Sequence, residues 1–222
     1  MKIISSLYLL FLLISFSHPA KAQETIEEGK ITYEITYPEM EMDDQMKAMM
    51  PTESVVYIKG ALSRTETAMG MGISSATIMN AKTNEVIALM DMMGTKTATV
   101  MQDEEAAKKR DKSGDDELTF TLVDETKMIA GVLCKKAIMK NSDGTEFEMY
   151  YTETIDSKSQ FSKQWRKFKG FPMEYVVTSA GFTMKMTAKT ITKEKVADEL
   201  FKIPADYKIM TQEEFTKMMG GQ

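Results

Sequence analysis

A two-residue period of apolar side chains runs through most of the chain and restricts its fold more than any other feature. In Gly29–Tyr37, the side chains of Ile31, Tyr33, Ile35 and Tyr37 fall on one side of an extended backbone, with Thr32, Glu34 and Thr36 on the other. Phe147, Met149 and Tyr151 alternate with Glu146, Glu148 and Tyr150; Phe182, Met184, Met186 and Ala188 alternate with Thr183, Lys185, Thr187 and Lys189. One wet face and one covered face is the pattern of antiparallel sheet. Runs of this kind predict strands at 28–38, 53–60, 61–68, 74–81, 85–93, 94–102, 118–125, 132–140, 145–153, 172–179 and 182–194. Between them, Lys82-Thr83-Asn84-Glu85 and Asn141-Ser142-Asp143-Gly144 supply the residues that tight turns need. Short, mostly adjacent strands predict a mainly β (α+β) fold: a single curved antiparallel sheet, or unclosed barrel, of about eleven strands with two or three short covering helices.

Three segments have helical spacing. Glu41–Met50 places Met42, Met46, Met49 and Met50 on one face, Ser157–Lys167 could turn Phe161, Trp165 and Phe168 inward, and Thr211-Gln212-Glu213-Glu214 has the form of a capping box. The first and last of these are candidate covers for the sheet. The charged stretch Asp103–Glu117 reads as a solvated loop.

The N-terminus is of another kind. Lys2 precedes an apolar stretch from Leu7 to Phe16, and Ala20-Lys21-Ala22 presents small residues at the two positions that a signal peptidase reads. That stretch is too short to span a bilayer core of about 30 Å as a stable helix. Residues 1–22 are therefore expected to be a signal peptide, and 23–222 one exported domain, periplasmic or secreted and soluble after cleavage. No Cys follows the apolar stretch, so acylation at an N-terminal Cys is not expected.

Removal of residues 1–22 takes away Lys2, Lys21 and the one His, leaving 26 Lys+Arg against 33 Asp+Glu, a net charge of −7. An acidic chain repels phosphate backbones, so nucleic acid is not an expected partner. Without histidine, the mature chain lacks the commonest general base and a common metal ligand. No catalytic residue and no metal or other cofactor site is assigned, and an enzyme is the least expected class. Cys134 stands alone in the apparent strand Val132-Leu133-Cys134, which predicts a buried, inert thiol rather than a nucleophile.

Twenty-two methionines stand out in a chain of 222 residues. Methionine fills irregular cores, adapts to varied apolar partners and, as a soft thioether, suits Cu(I). Its spread through many strands argues against ligands converging on one ion. A Met-faced helix beside a curved sheet points instead to an apolar cavity for a lipid, acyl chain or hydrophobic segment. Its candidate lining is Tyr33, Met42, Met46, Met49, Met50, Met90, Phe147, Met184 and Met186. A methionine copper site, or an envelope interaction protein with no small ligand, is the alternative.

Several segments, taken in order, resemble a family of exported bacterial proteins described as a domain of unknown function, the 4412 family. They are Gly29-Lys30-Ile31-Thr32-Tyr33, Val56-Tyr57-Ile58-Lys59-Gly60 before Arg64, and Lys127 to Ala137 with its I-A-G-x-x-C-K-K-A core. Tyr150-Tyr151-Thr152, Phe171-Pro172-Met173-Glu174-Tyr175 and Phe201-Lys202-Ile203-Pro204-Ala205-Asp206-Tyr207-Lys208 complete the set. That family is similar in expected architecture to the lipoprotein carriers LolA and LolB, whose unclosed barrel has an apolar concavity covered by helices. The resemblance implies a fold and a style of ligand; it carries over no catalytic residue.

Overall fold

The computed structural model describes residues 25–38, 40–83, 85–101, 119–140, 144–156, 158, 168–179 and 182–218. The expected signal peptide, the 103–117 loop, most of the 157–167 helix and the Asn141–Asp143 turn lie outside these residues.

The strands are β1 (Glu28–Thr36), β2 (Glu53–Lys59), β3 (Leu62–Met69), β4 (Ile73–Asn80), β5 (Glu85–Met92) and β6 (Thr95–Met101). They continue as β7 (Thr119–Ile129), β8 (Val132–Lys140), β9 (Glu146–Thr152), β10 (Phe171–Ser179), β11 (Phe182–Thr192) and β12 (Lys208–Met210). All twelve form one sheet in the order β12-β6-β5-β4-β3-β2-β1-β11-β10-β9-β8-β7. The sheet is unclosed, since its edge strands β12 and β7 do not pair.

Eleven strands fall within a few residues of the positions read from alternation; among the described residues the structure corrects the count to twelve and the sheet from purely antiparallel to mixed. Strand β12 pairs parallel with β6. Three residues are too few to show a period, so this strand was not visible in the sequence. Strand β7 also runs further than its alternation indicated. Its register against β8 shifts between Val123 and Thr126, and such a bulge interrupts the two-residue period. The β7–β8 turn holds Ala130 at φ 48° and Gly131 at φ 79°, the paired positive values of the hairpin turn that matches strand twist.

Only two short α-helices occur among the described residues: α1 (Asp44–Met49) and α2 (Gln212–Met218). Helix α2 begins as the sequence indicated. Glu214 N–H donates to Thr211 Oγ1 at 3.1 Å and Thr211 N–H to Glu214 Oε2 at 2.8 Å, a complete capping box. Helix α1 is shorter than expected and buries none of its residues. Asp43 caps its start by accepting from Met46 N–H at 2.7 Å, and its end is followed closely by Pro51. Six residues make less than two turns, which is too short to bury a stripe of its own.

Three cores hold the sheet. The central one joins Ile31, Tyr33 and Ile35 of β1 to Cys134, Phe171, Met173 and Met186, and a second gathers Ala137, Met139, Met149, Tyr151 and Phe168. The third lies where β2–β6 meet the segment 193–207: Ala76, Ile78, Leu89 and Ala98 receive Val196 and Phe201. That segment is a strap, and polar ties fasten it. Lys59 Nζ donates to the Val196 carbonyl at 2.8 Å and pairs with Asp198 at 2.5 Å. Arg64 donates to the Leu200 carbonyl at 2.9 Å, Val196 N–H to Glu28 at 2.9 Å, and Lys96 pairs with Asp206 at 2.6 Å. Lys59 and Arg64, from one resemblance segment, thus hold the strap at Val196, Asp198 and Leu200, just before Phe201 of another enters the core.

Candidate functional site

Register assigns each strand residue to a side of the sheet, because direct cross-strand partners point the same way. Tyr33 lies beside Ser54, followed in turn by Thr67, Ser75, Met90 and Thr97. The adjacent row runs Ile31, Val56, Thr65, Thr77, Ala88 and Thr99. Both rows belong to the Tyr33 face. The opposite, Tyr57 face of β2–β6 carries Ala76, Ile78, Leu89 and Ala98, and the strap covers it.

Several of the residues singled out from the sequence share the Tyr33 face. Tyr33 and Met90 stand in one row; Met186 pairs with Ile35 across β1 and β11, and Met184 follows two residues along β11. Tyr33 and Met186 are buried in the central core, with Met184 packed against it. The Tyr33 hydroxyl donates to the Pro172 carbonyl at 2.6 Å, and its ring meets Tyr175 edge-on at 6.0 Å between centroids. Phe147 packs against the Met139–Phe168 core. It also lines a groove of about 540 Å³ with Tyr150, Tyr175 and Val176. The helix residues are placed elsewhere. Met46 and Met49 are 41% and 47% exposed, while Met42 and Met50 are half-buried.

Helix α1 instead marks one end of the Tyr33 face. It sits on the turn Gly70–Gly72 so closely that a Cβ at Gly70 would collide with the Ala48 carbonyl and the Met49 backbone. Met69, Ile73 and Met92 form the next row of the Tyr33 face beyond Thr67, Ser75 and Met90. The Met93 N–H donates to the Gly72 carbonyl at 3.2 Å, which brings the β5–β6 turn to the same rim. Met46, Met49, Met71 and Met93, from three separate chain segments, therefore stand exposed around one end of this face. The sequence showed the methionines but not their meeting, because strand register joins 69–71 to 92–93 and the packing of α1 on Gly70 adds 46–49.

The rows behind this rim differ from the expected apolar lining. Strands β2–β6 turn small hydroxyl side chains, interleaved with apolar ones, to the Tyr33 face. Ser54, Ser63, Thr97 and Thr99 are all buried. The hydroxyls of Ser63, Thr65 and Thr97 have no hydrogen-bond partner. No charged residue occupies the Tyr33-face positions of these five strands. The sequence does contain the alternation of Ser75 and Thr77 with Ala76 and Ile78. It could not show that the strap takes the apolar phase and leaves the hydroxyl phase inside.

Beyond β1 the Tyr57 face is ionic. Glu174, 8% exposed, accepts from Lys127 at 2.9 Å through both oxygens, and also from Lys185 and Thr187 at 3.2 Å. Burial opposes its charge, but the Lys127 and Lys185 ammonium groups prevail and hold its carboxyl below the ordinary value. Nearby, Tyr150 donates to Glu125, and Lys136 pairs with Glu125 and Glu148. Each of these charges has an opposite partner, as in a structural network. Cys134 is fully buried with its Sγ 3.6 Å from the Val132 carbonyl, and burial pushes its thiol up to about 11. Among the described residues no group of His, Cys, Asp and Glu could hold a metal ion. No helix among them is long and apolar enough to cross a membrane.

A twelve-stranded unclosed sheet with a strapped outer face defines the class. Residues 28–207 match the family described as domain of unknown function DUF4412, and the chain belongs to that family. No curated protein matches it significantly. Among solved structures it is similar to PNGF-II, with TM-score 0.52 and 16% identity over 87% of this chain; it spans 32% of PNGF-II. An uncharacterized conserved protein from Thermus thermophilus aligns with TM-score 0.50 and 10% identity, over 84% of this chain and 91% of that one. At these identities the likeness is one of fold alone. MucB, at TM-score 0.32 and 8% identity over 83% of this chain and 60% of its own, is too distant to bear on the fold or the site.

Proposed function

We propose that this is an exported, non-catalytic binding protein that holds the apolar part of a lipid, an acyl chain or a hydrophobic segment on the Tyr33 face, with the methionine rim as its entrance. The rim is the observation that carries this reading. Exposed large apolar side chains gathered from several segments mark binding surfaces, and methionine is the side chain that repacks around varied partners. The rows behind it carry small side chains such as Ser54, Ser75 and Ala88, where the large Tyr33, Phe171 and Met173 stand elsewhere in the sheet. The buried Cys134 and the paired carboxylates of the ionic network support a non-catalytic role.

The test is native mass spectrometry of protein purified from a Gram-negative periplasm, together with titration of the mature protein by diphenylhexatriene. A co-purifying lipid, or saturable probe binding, is expected. Absence of both refutes the proposal. The convergence of thioethers at the rim favours one second reading, a Cu(I) site. Under that reading the same spectra, recorded with Ag(I) as a stand-in, would show one stoichiometric ion lost when Met71 and Met93 are replaced by Leu.

A further inference from the structure

The chemistry of the rows behind the rim narrows what the ligand can be. A buried hydroxyl without a hydrogen bond costs stability, so three of them on one face of one sheet call for an explanation. Ser63 is 1% exposed and Thr97 4% exposed. They flank a surface whose other members are methyl-bearing or apolar: Val56, Ala88, Met79 and Met90. Elsewhere in the same rows the hydroxyls do find partners, Thr67 donating to Ser54 at 3.2 Å and Ser54 to the Glu66 carbonyl at 3.1 Å. The unpartnered three are therefore not a general property of these strands. No Lys or Arg stands at the Tyr33-face positions of β2–β6, so a carboxylate or phosphate held against these strands would lose its hydration with no opposite charge from them to replace it, which costs several kcal/mol.

We propose that the ligand of the Tyr33 face is an uncharged acyl lipid, whose chain lies along Met90 and whose ester or amide carbonyls accept hydrogen bonds from Ser63, Thr65 and Thr97. The inference rests on the reading of this face as a ligand site and adds the charge class of the ligand. Strands β3 and β6 are three spacings apart, about 14 Å along the sheet, so more than one carbonyl is engaged. Free fatty acids and anionic headgroups are selected against by the absence of a cation among the described β2–β6 residues of this face.

The test compares three probes on the mature protein at pH 8: diphenylhexatriene, a fluorescent fatty acid, and the methyl ester of that acid. The ester is expected to bind at least tenfold more tightly than the acid. A double variant, Thr65→Val with Thr97→Val, should weaken the ester at least fivefold more than it weakens diphenylhexatriene, which has no acceptor for these hydroxyls. Thr65→Ser with Thr97→Ser keeps the hydroxyls and should restore the ester. Melting curves of both variants verify that they fold, and the valine variant should melt no lower than the parent protein. Equal or tighter binding of the acid, or an ester affinity indifferent to valine, overturns the proposal while leaving the binding function intact. Failure of all three probes to bind refutes the binding function itself, and this inference with it.

Discussion

Replacing Met46 and Met49 together by Glu distinguishes an entrance from a packed core. Were α1 a lid sealed onto the sheet, two carboxylates would be buried without partners, at several kcal/mol each. Such a loss would approach the whole stability of a typical domain, about 5–15 kcal/mol. The structure gives a much smaller figure. A fully buried methionine contributes about 1.5–3 kcal/mol, and these two already expose 41% and 47% of their surface. Roughly half of that contribution is at stake at each site. Asp43 is the cap and Asp44 the first helical residue, so Met46 holds the third helical position, where Glu completes a capping box and offsets part of the loss. Met49 ends the helix, where a negative charge costs about 0.3–1 kcal/mol. The expected net destabilisation is about 2 kcal/mol, read as a lowered urea midpoint with unchanged slope. Diphenylhexatriene binding should fall at least tenfold in the same variant. A loss above about 4 kcal/mol would mean that α1 is core after all, and unaltered probe binding would remove the rim from the site.

Other consequences are open to direct measurement. Cys134, fully buried and with its thiol pushed up to about 11, should react with a thiol reagent at pH 8 only after denaturation; rapid labelling of the folded protein would contradict its burial. Glu174→Gln leaves Lys127 and Lys185 without their shared carboxylate and should cost about 1–3 kcal/mol at pH 7 by urea unfolding. Because the folded-state value of Glu174 is lowered, its contribution is complete above the ordinary value of 4.5 and is lost as pH falls through the folded value. The difference between parent and variant should therefore shrink by pH 3, and a constant difference would show that charge is not the cause. Phe201→Ala empties the centre of the strap core and should cost about 3–5 kcal/mol; a loss below about 1 kcal/mol would show that the strap is not part of the cooperative unit. Protein expressed in an exporting host should begin at Gln23 by intact mass, and a membrane-bound species retaining residues 1–22 would contradict the signal peptide.

The sequence by itself determined the strands, because side-chain direction in an extended backbone is local and a two-residue period survives in any context. It placed β8 at 132–140 as observed and fixed the Thr211–Glu214 cap, each of which depends on residues a few positions apart. It also marked Cys134 as buried and Met as the unusual side chain. What lay beyond it was decided by contacts between residues far apart in the chain. Alternation gives each strand two faces but does not say which is inside. In β4–β6 the apolar phase, Ala76, Ile78, Leu89 and Ala98, is claimed by Val196 and Phe201, more than ninety residues further on. That leaves Ser75, Thr77, Thr97 and Thr99 on the Tyr33 face, so the lining expected to be apolar is hydroxyl-rich. Helix α1 showed a methionine stripe in sequence, yet the close approach of Gly70 to Ala48 seats it at the rim rather than over the sheet. Strand β12 exists because the strap ends beside β6, where three residues pair that no local period could have marked. Local periodicity fixes which side chains share a face; only long-range packing decides what each face meets.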